Sequence, residues 1–227
     1  MNERVKKILF VPILLVILGI LGYFLLIAVY CLPTEKMEFS MQESSYYFRN
    51  EDSNPRFMQK PNSVLDNYTD AIMLLTASHP GNGSVWKSAI NATRYSEADE
   101  FPPDTLIDVY YNEKTGVAET NYARYWHGYL IFLKPLLLFL EYGEIRSLLM
   151  GIQLVIFVLV ILELSKKKEE LIIPFLMTWI FLNPVSTMLS LQYNTVLMIS
   201  FIVCDLLIIW TFLIHFVPED HLFLLTT

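Results

Sequence analysis

The sequence predicts an all-α membrane protein with about four transmembrane helices and a large, mainly helical extracytoplasmic loop that carries an interfacial helix. Three observations lead there. Hydrophobic residues make up 54% of the 227 and charged residues only 17%, and mean hydropathy is +0.44, a balance that ordinary soluble folds do not show. Several apolar runs are long enough to cross a bilayer. Lysines and arginines gather at one end of two of those runs, as the positive-inside rule requires.

Residues 1–7 hold Arg4, Lys6 and Lys7 and read as a cytoplasmic N-terminus. The uncharged run 8–32 is the first transmembrane helix. It is longer than the apolar region of a signal peptide and has no small-x-small cleavage site, so it reads as a retained anchor. Glu35 and Glu38 follow it on the outer side.

Residues 33–128 are rich in Ser, Asn, Pro, Gly and charge and form an extracytoplasmic loop domain. The apolar spacing of Val64, Leu65, Tyr68, Ile72 and Leu75 predicts a helix over 62–78, with Asn62 or Ser63 as N-cap and Pro80-Gly81 as its end. A second helix is expected over 83–95, and 104–111 fits either strand or helix. Acidic residues outnumber basic ones here, and the chain's net charge is −7, which argues against a nucleic-acid partner. Asn67, Asn82 and Asn91 each head an N-x-[ST] sequon, a glycan acceptor in a eukaryotic secretory route and otherwise a common chance match. With only Cys31 and Cys204, both at or in apolar runs, the loop has no disulfide framework.

Residues 129–144 are an interfacial helix and joint: the run is only about a dozen residues and Lys134-Pro135 interrupts it. Tyr122, Tyr125, Trp126 and Tyr129 around it favour headgroup level. The second transmembrane helix is 145–165, stopped by Lys166, Lys167 and Lys168 in a cytoplasmic loop, 166–170. The third is 171–191, with a kink or break expected at Asn183-Pro184. An outer turn over 192–195 leads to the fourth, 196–217, and 218–227 begins a further, truncated segment. The localisation is therefore the cell membrane, multi-pass, with the N-terminus cytoplasmic.

Asp66 and Asp70 sit four apart, which puts both carboxylates on one face if that segment is helical. Such a pair can take a divalent cation, Mg or Mn, or act as a general base, and it can equally be a solvated helix face. Arg124, His127 and Lys134 can contact an anionic phosphate headgroup, or form an interfacial belt with a snorkelling cation. Asp205, inside an apolar run, should face protein or water. His79, His215 and His221 have no metal-ligand spacing.

The order of parts resembles the N-terminal portion of the glycosyltransferase C superfamily, polytopic enzymes that use polyprenyl-phosphate-linked sugars. The resemblance lies in the inside N-terminus, one helix, an outer loop with Asp66 and Asp70, the stretch from His127 to Leu136, the joint from Gly143 to Leu148, and the Lys166–Lys168 stop. Members often carry a further acidic residue in the second outer loop, where this chain has Leu191-Gln192-Tyr193-Asn194.

What the resemblance implies is transfer of a sugar from the polyprenyl-phosphate carrier at the outer face during envelope assembly. Asp66 and Asp70 are then the catalytic and metal-binding candidates, and Arg124, His127 and Lys134 the residues for the lipid phosphate. Membrane lipid and the polyprenyl-phosphate sugar would be the partners, with room for an additional membrane chain. Two other readings fit the same layout: a non-catalytic membrane subunit whose outer loop binds a partner, and a transporter fragment suggested by Asp205 and Asn183-Pro184.

Overall fold

The structure, a computed structural model, describes residues 3–51, 53–56 and 63–216. The described chain is mostly helical, with one two-stranded sheet. It divides into two compact units, Met1–Ser53 with Tyr68–Gly143, and Asn54–Asn67 with Glu144–Thr227.

The first unit starts with α1 (Glu3–Tyr30), whose side chains are exposed from Ile13 to Leu21 and become buried at Leu26, Val29 and Tyr30. After a 3-10 turn, α2 (Glu38–Asn50) packs against α5 (Pro102–Tyr110), while α4 (Val85–Asn91) and α6 (Leu130–Leu137) pack against α1. The core is supplied by Met37, Met41, Leu74, Leu75, Leu106, Leu130 and Leu137, with Leu74 and Leu75 coming from α3 (Asn67–Ser78).

Local chemistry sets the ends of these helices. The Ser84 side chain caps α4 by accepting from the Lys87 N–H, and Ala92 closes that helix in the left-handed region, φ 44°. Pro102-Pro103 open α5, where a missing N–H costs nothing. Strands β1 (Arg94–Tyr95) and β2 (Glu119–Thr120) pair antiparallel, with Tyr95 opposite Glu119.

The helix predicted over 62–78 is shorter at its start: α3 begins at Asn67, and residues 57–62 lie outside the described residues. The ambiguous 104–111 stretch is helix. A whole helix, α2, carries no apolar signature, because its buried face is largely Ser40, Ser44 and Ser45 beside Met41 and Phe48. Those hydroxyls satisfy themselves on the helix backbone: Ser44 donates to Ser40 O at 2.5 Å and Ser45 to Gln42 O at 2.6 Å.

The second unit contains the rest of α7 (Tyr142–Lys167), then α8 (Ile172–Phe181), α9 (Pro184–Leu189) and α10 (Leu191–Phe216). Phe157 of α7 stacks on Trp179 of α8 at 4.2 Å and meets Phe201 of α10 at 6.3 Å.

The segment predicted as one third helix, 171–191, is two short helices. Asn183 takes a left-handed conformation, φ 52°, Pro184 starts α9, and Ser190 is extended before α10. The break lies where the Asn-Pro pair predicts it, and neither piece is long enough to cross a bilayer alone. The predicted outer turn over 192–195 is the first turn of α10. The segment 218–227 lies outside the described residues.

Among the described residues, two helical stretches are long and apolar enough to cross a membrane, Pro12–Tyr30 and Tyr142–Lys167, and Leu191–Leu207 is a shorter apolar one.

Candidate functional site

A cleft of about 280 Å³ lies in the first unit between α1, α4 and the segment leading to α6. Tyr23 and Leu26 line it from α1, Ala89 and Ile90 from α4, and Arg124, Trp126 and His127 from the third side. Its walls are apolar and aromatic, and its charge is the Arg124 guanidinium. That is the composition of a site for an amphiphile with an anionic end.

The cleft exists because α1 carries glycine where the aromatic segment crosses it. A Cβ on Gly22 would fall 2.7 Å from the Trp126 ring, and one on Gly128 would collide with the same indole at 2.5 Å. Trp126 thus lies against α1 with Gly128 behind it. On the α4 side, the Tyr23 hydroxyl donates to Trp86 O at 3.1 Å, and the Trp86 ring meets those of Tyr23 and Phe24, each at 6.1 Å.

Arg124 is exposed, its guanidinium 5.5 Å from the centre of the Tyr125 ring. It is the predicted phosphate residue best placed for that work. His127 shares the cleft but is buried, and its Nε2 lies 2.6 Å from Tyr122 O. A carbonyl only accepts, so Nε2 bears the proton and Nδ1 is an acceptor with no partner among the described residues. Burial pushes the imidazole pKa below its ordinary value, against the opposing bond to Tyr122. A neutral ring with a free acceptor suits a hydroxyl better than a phosphate oxygen.

Lys134 is turned inward, contrary to its expected contact with a lipid phosphate. It is 0% exposed. Its ammonium donates to Ala77 O and, at 3.3 Å, to His79 O, and stands 4.6 Å from the centre of the Tyr30 ring. Those carbonyls close the C-terminus of α3, the end of a helix that attracts cations. Lys134 joins α6, α3 and α1.

The predicted carboxylate pair does not stand on one helical face. Asp66 directly precedes α3, at the position where Asp is favoured as an N-cap, and is half-buried. Asp70 is inside the first turn, 0% exposed, and accepts from the Tyr142 hydroxyl at 2.8 Å. Asp70 is thus part of the packed interior beside Tyr142, apart from Asp66 at the helix start. Among the described residues no group of three or more His, Cys, Asp or Glu side chains could hold a metal ion. One oxygen of Asp70 already accepts from Tyr142.

Two nearby groups carry no sequence signal. Arg94, on β1, holds its guanidinium 5.4 Å from the centre of the Tyr122 ring, with Nε buried and unpartnered among the described residues. His79 is buried: Nδ1 accepts from the Gly81 N–H at 2.9 Å and Nε2 lies 3.3 Å from Glu119, whose other oxygen accepts from Asn82 at 2.6 Å. The sequon residue Asn67 is also inside, accepting from Arg146 at 2.7 Å, whereas Asn82 is exposed.

No family model, curated protein or solved structure matches the chain.

Proposed function

We propose that this chain is a multi-pass membrane protein of glycosyltransferase C layout, with its N-terminus cytoplasmic, that holds the phosphate of a polyprenyl-phosphate sugar at the outer membrane face. The observation that carries the reading is the cleft, which pairs the Arg124 cation with the apolar surfaces of Tyr23, Leu26 and Ile90. Arg is suited to phosphate because its planar fork can donate two hydrogen bonds at once.

In the reaction, an acceptor hydroxyl attacks the anomeric carbon and the bond from that carbon to the phosphate oxygen breaks. The bonding pair leaves with the polyprenyl phosphate, whose charge Arg124 offsets. The hydroxyl proton goes to a base. The glycosyltransferase C layout gives that role to Asp66.

A second reading has its own support. Asp70 and Lys134 both serve the interior of the first unit, which is what a non-catalytic membrane subunit with a partner-binding outer loop would show.

The two separate in proteoliposomes supplied with a panel of polyprenyl-phosphate sugars. The enzyme reading expects transfer by the wild type and a loss of at least 100-fold in Asp66→Asn, on the order that general bases supply. Absence of transfer by a wild-type protein that still binds polyprenyl phosphate moves the assignment to the accessory subunit.

A further inference from the structure

The first unit sets a length problem for its own anchor. Counting from Ile8, just after Lys7, the apolar stretch of α1 that precedes the contact of Gly22 with Trp126 ends at Leu21, and its described side chains are exposed from Pro12 on. At 1.5 Å per residue that stretch is about 21 Å long. A bilayer's hydrocarbon core is about 30 Å thick. A unit resting wholly above the membrane would leave α1 about 9 Å short.

The elements that pack at Gly22–Phe24 are made of what could fill the difference. Trp86 touches Tyr23 and Phe24, Trp126 covers Gly22, and both indoles remain more than half exposed, as does Ile90 one turn along α4. This apolar face continues the exposed lipid-type surface of α1 at Leu21 and Phe24. Lys87 and Arg124 beside it are exposed and can carry their charges up to phosphate level.

We propose that the α4 tip and the Tyr125-Trp126 turn form a wedge seated in the outer leaflet, whose partner is bilayer lipid and not a protein. The wedge rests on the reading that α1 spans the membrane, and it makes up the missing length. The two indoles sit about 6–9 Å below the nominal outer edge of the hydrocarbon, which lies about 20 residues after Ile8. Trp, Phe and Leu are the side chains that interfacial helices bury about 5–10 Å into the headgroup–acyl boundary. Hydrophobic mismatch is relieved by protein insertion, with no need to thin the bilayer.

The test is tryptophan quenching in vesicles made with acyl chains brominated at defined depths. Proteins retain Trp86 or Trp126 alone, the other three tryptophans being Phe, and a control without native tryptophans carries Leu18→Trp at the middle of α1. The expected result is blue-shifted emission from both native positions, quenched by shallow bromines more than by iodide in the buffer. As a check that tolerates loss of the indoles, Ile90→Cys in a Cys31→Ser, Cys204→Ser background should resist an impermeant maleimide in intact vesicles and react in SDS.

Iodide quenching and water-like emission from both indoles, together with ready labelling of Ile90→Cys, would overturn the wedge while Leu18→Trp still reports a crossing helix. Failure of deep bromines to reach Leu18→Trp would instead overturn the spanning of α1, and the wedge with it.

Discussion

Tyr142→Ala is expected to destabilise the protein by about 4 kcal/mol, the range for truncating a large buried aromatic side chain. The residue is fully buried and is the largest such side chain in the described structure. Its ring stacks on Phe48 at 4.8 Å and meets Tyr47 edge-on at 5.9 Å, so both faces of the contact belong to α2. Its hydroxyl donates to Asp70, and its backbone N–H donates to the Ser44 hydroxyl at 2.9 Å. One side chain thus joins α2, α3 and the start of α7 within the first unit.

Tyr142→Phe keeps the ring and removes the hydroxyl that donates to Asp70. Its expected cost is about 1–2 kcal/mol, the price of leaving a buried acceptor one donor short. Denaturant unfolding of the detergent-solubilised protein, followed by tryptophan emission, measures both. Equal costs for the two variants would mean that packing against α2 contributes nothing.

Lys134→Met is the second large effect, with an expected loss of about 3 kcal/mol from carbonyls of Ala77 and His79 stripped of their donor. The substitution keeps the length and apolar body of the side chain, so the loss reports the ammonium and not a cavity. It also changes the pH dependence.

Burial lowers the Lys134 pKa from 10.5 to about 8. Below pH 8 the amine is protonated both folded and unfolded, and this group adds no slope. Between about 8 and 10.5 the unfolded chain holds the proton and the folded one has released it. Stability from this group therefore rises with pH across that window and levels off above it. Wild type should show the rise and Lys134→Met should lack it, so that the gap between them widens from pH 8 to 10.5.

The sequence displays the parts of this fold that are written in apolar length and in backbone chemistry. The apolar helix through Ile8, the helix before Lys166 and the break at Asn183-Pro184 are all legible, because an uncharged run, a lysine stop and a residue lacking its N–H act locally. What is not legible depends on partners distant in sequence. A helix whose buried face is serine, like α2, carries no apolar period. Lys134 reads as an interfacial cation because nothing in its neighbourhood announces that the carbonyls at the end of α3, some 55 residues earlier, await it.

The site divides in the same way. Arg124 and His127 are three residues apart in an aromatic segment and enter one cleft together, which proximity in sequence makes readable. The Asp66 and Asp70 pairing assumes a helix running through both. The helix starts one residue too late for that, and the Tyr142 hydroxyl that claims Asp70 comes from 72 residues further on.

Binding of a short-chain polyprenyl phosphate to the purified protein, followed by native mass spectrometry beside the uncharged polyprenol and an Arg124→Gln variant, decides whether the cleft holds a lipid-linked phosphate. The cleft as described predicts that wild type prefers the phosphate over the alcohol and that Arg124→Gln loses about tenfold in affinity for the phosphate alone, equivalent to one charge-assisted contact of about 1.4 kcal/mol. Equal binding of phosphate and alcohol, or an Arg124→Gln variant that holds the phosphate as tightly as wild type, would contradict the assignment of the cleft to a lipid-linked phosphate.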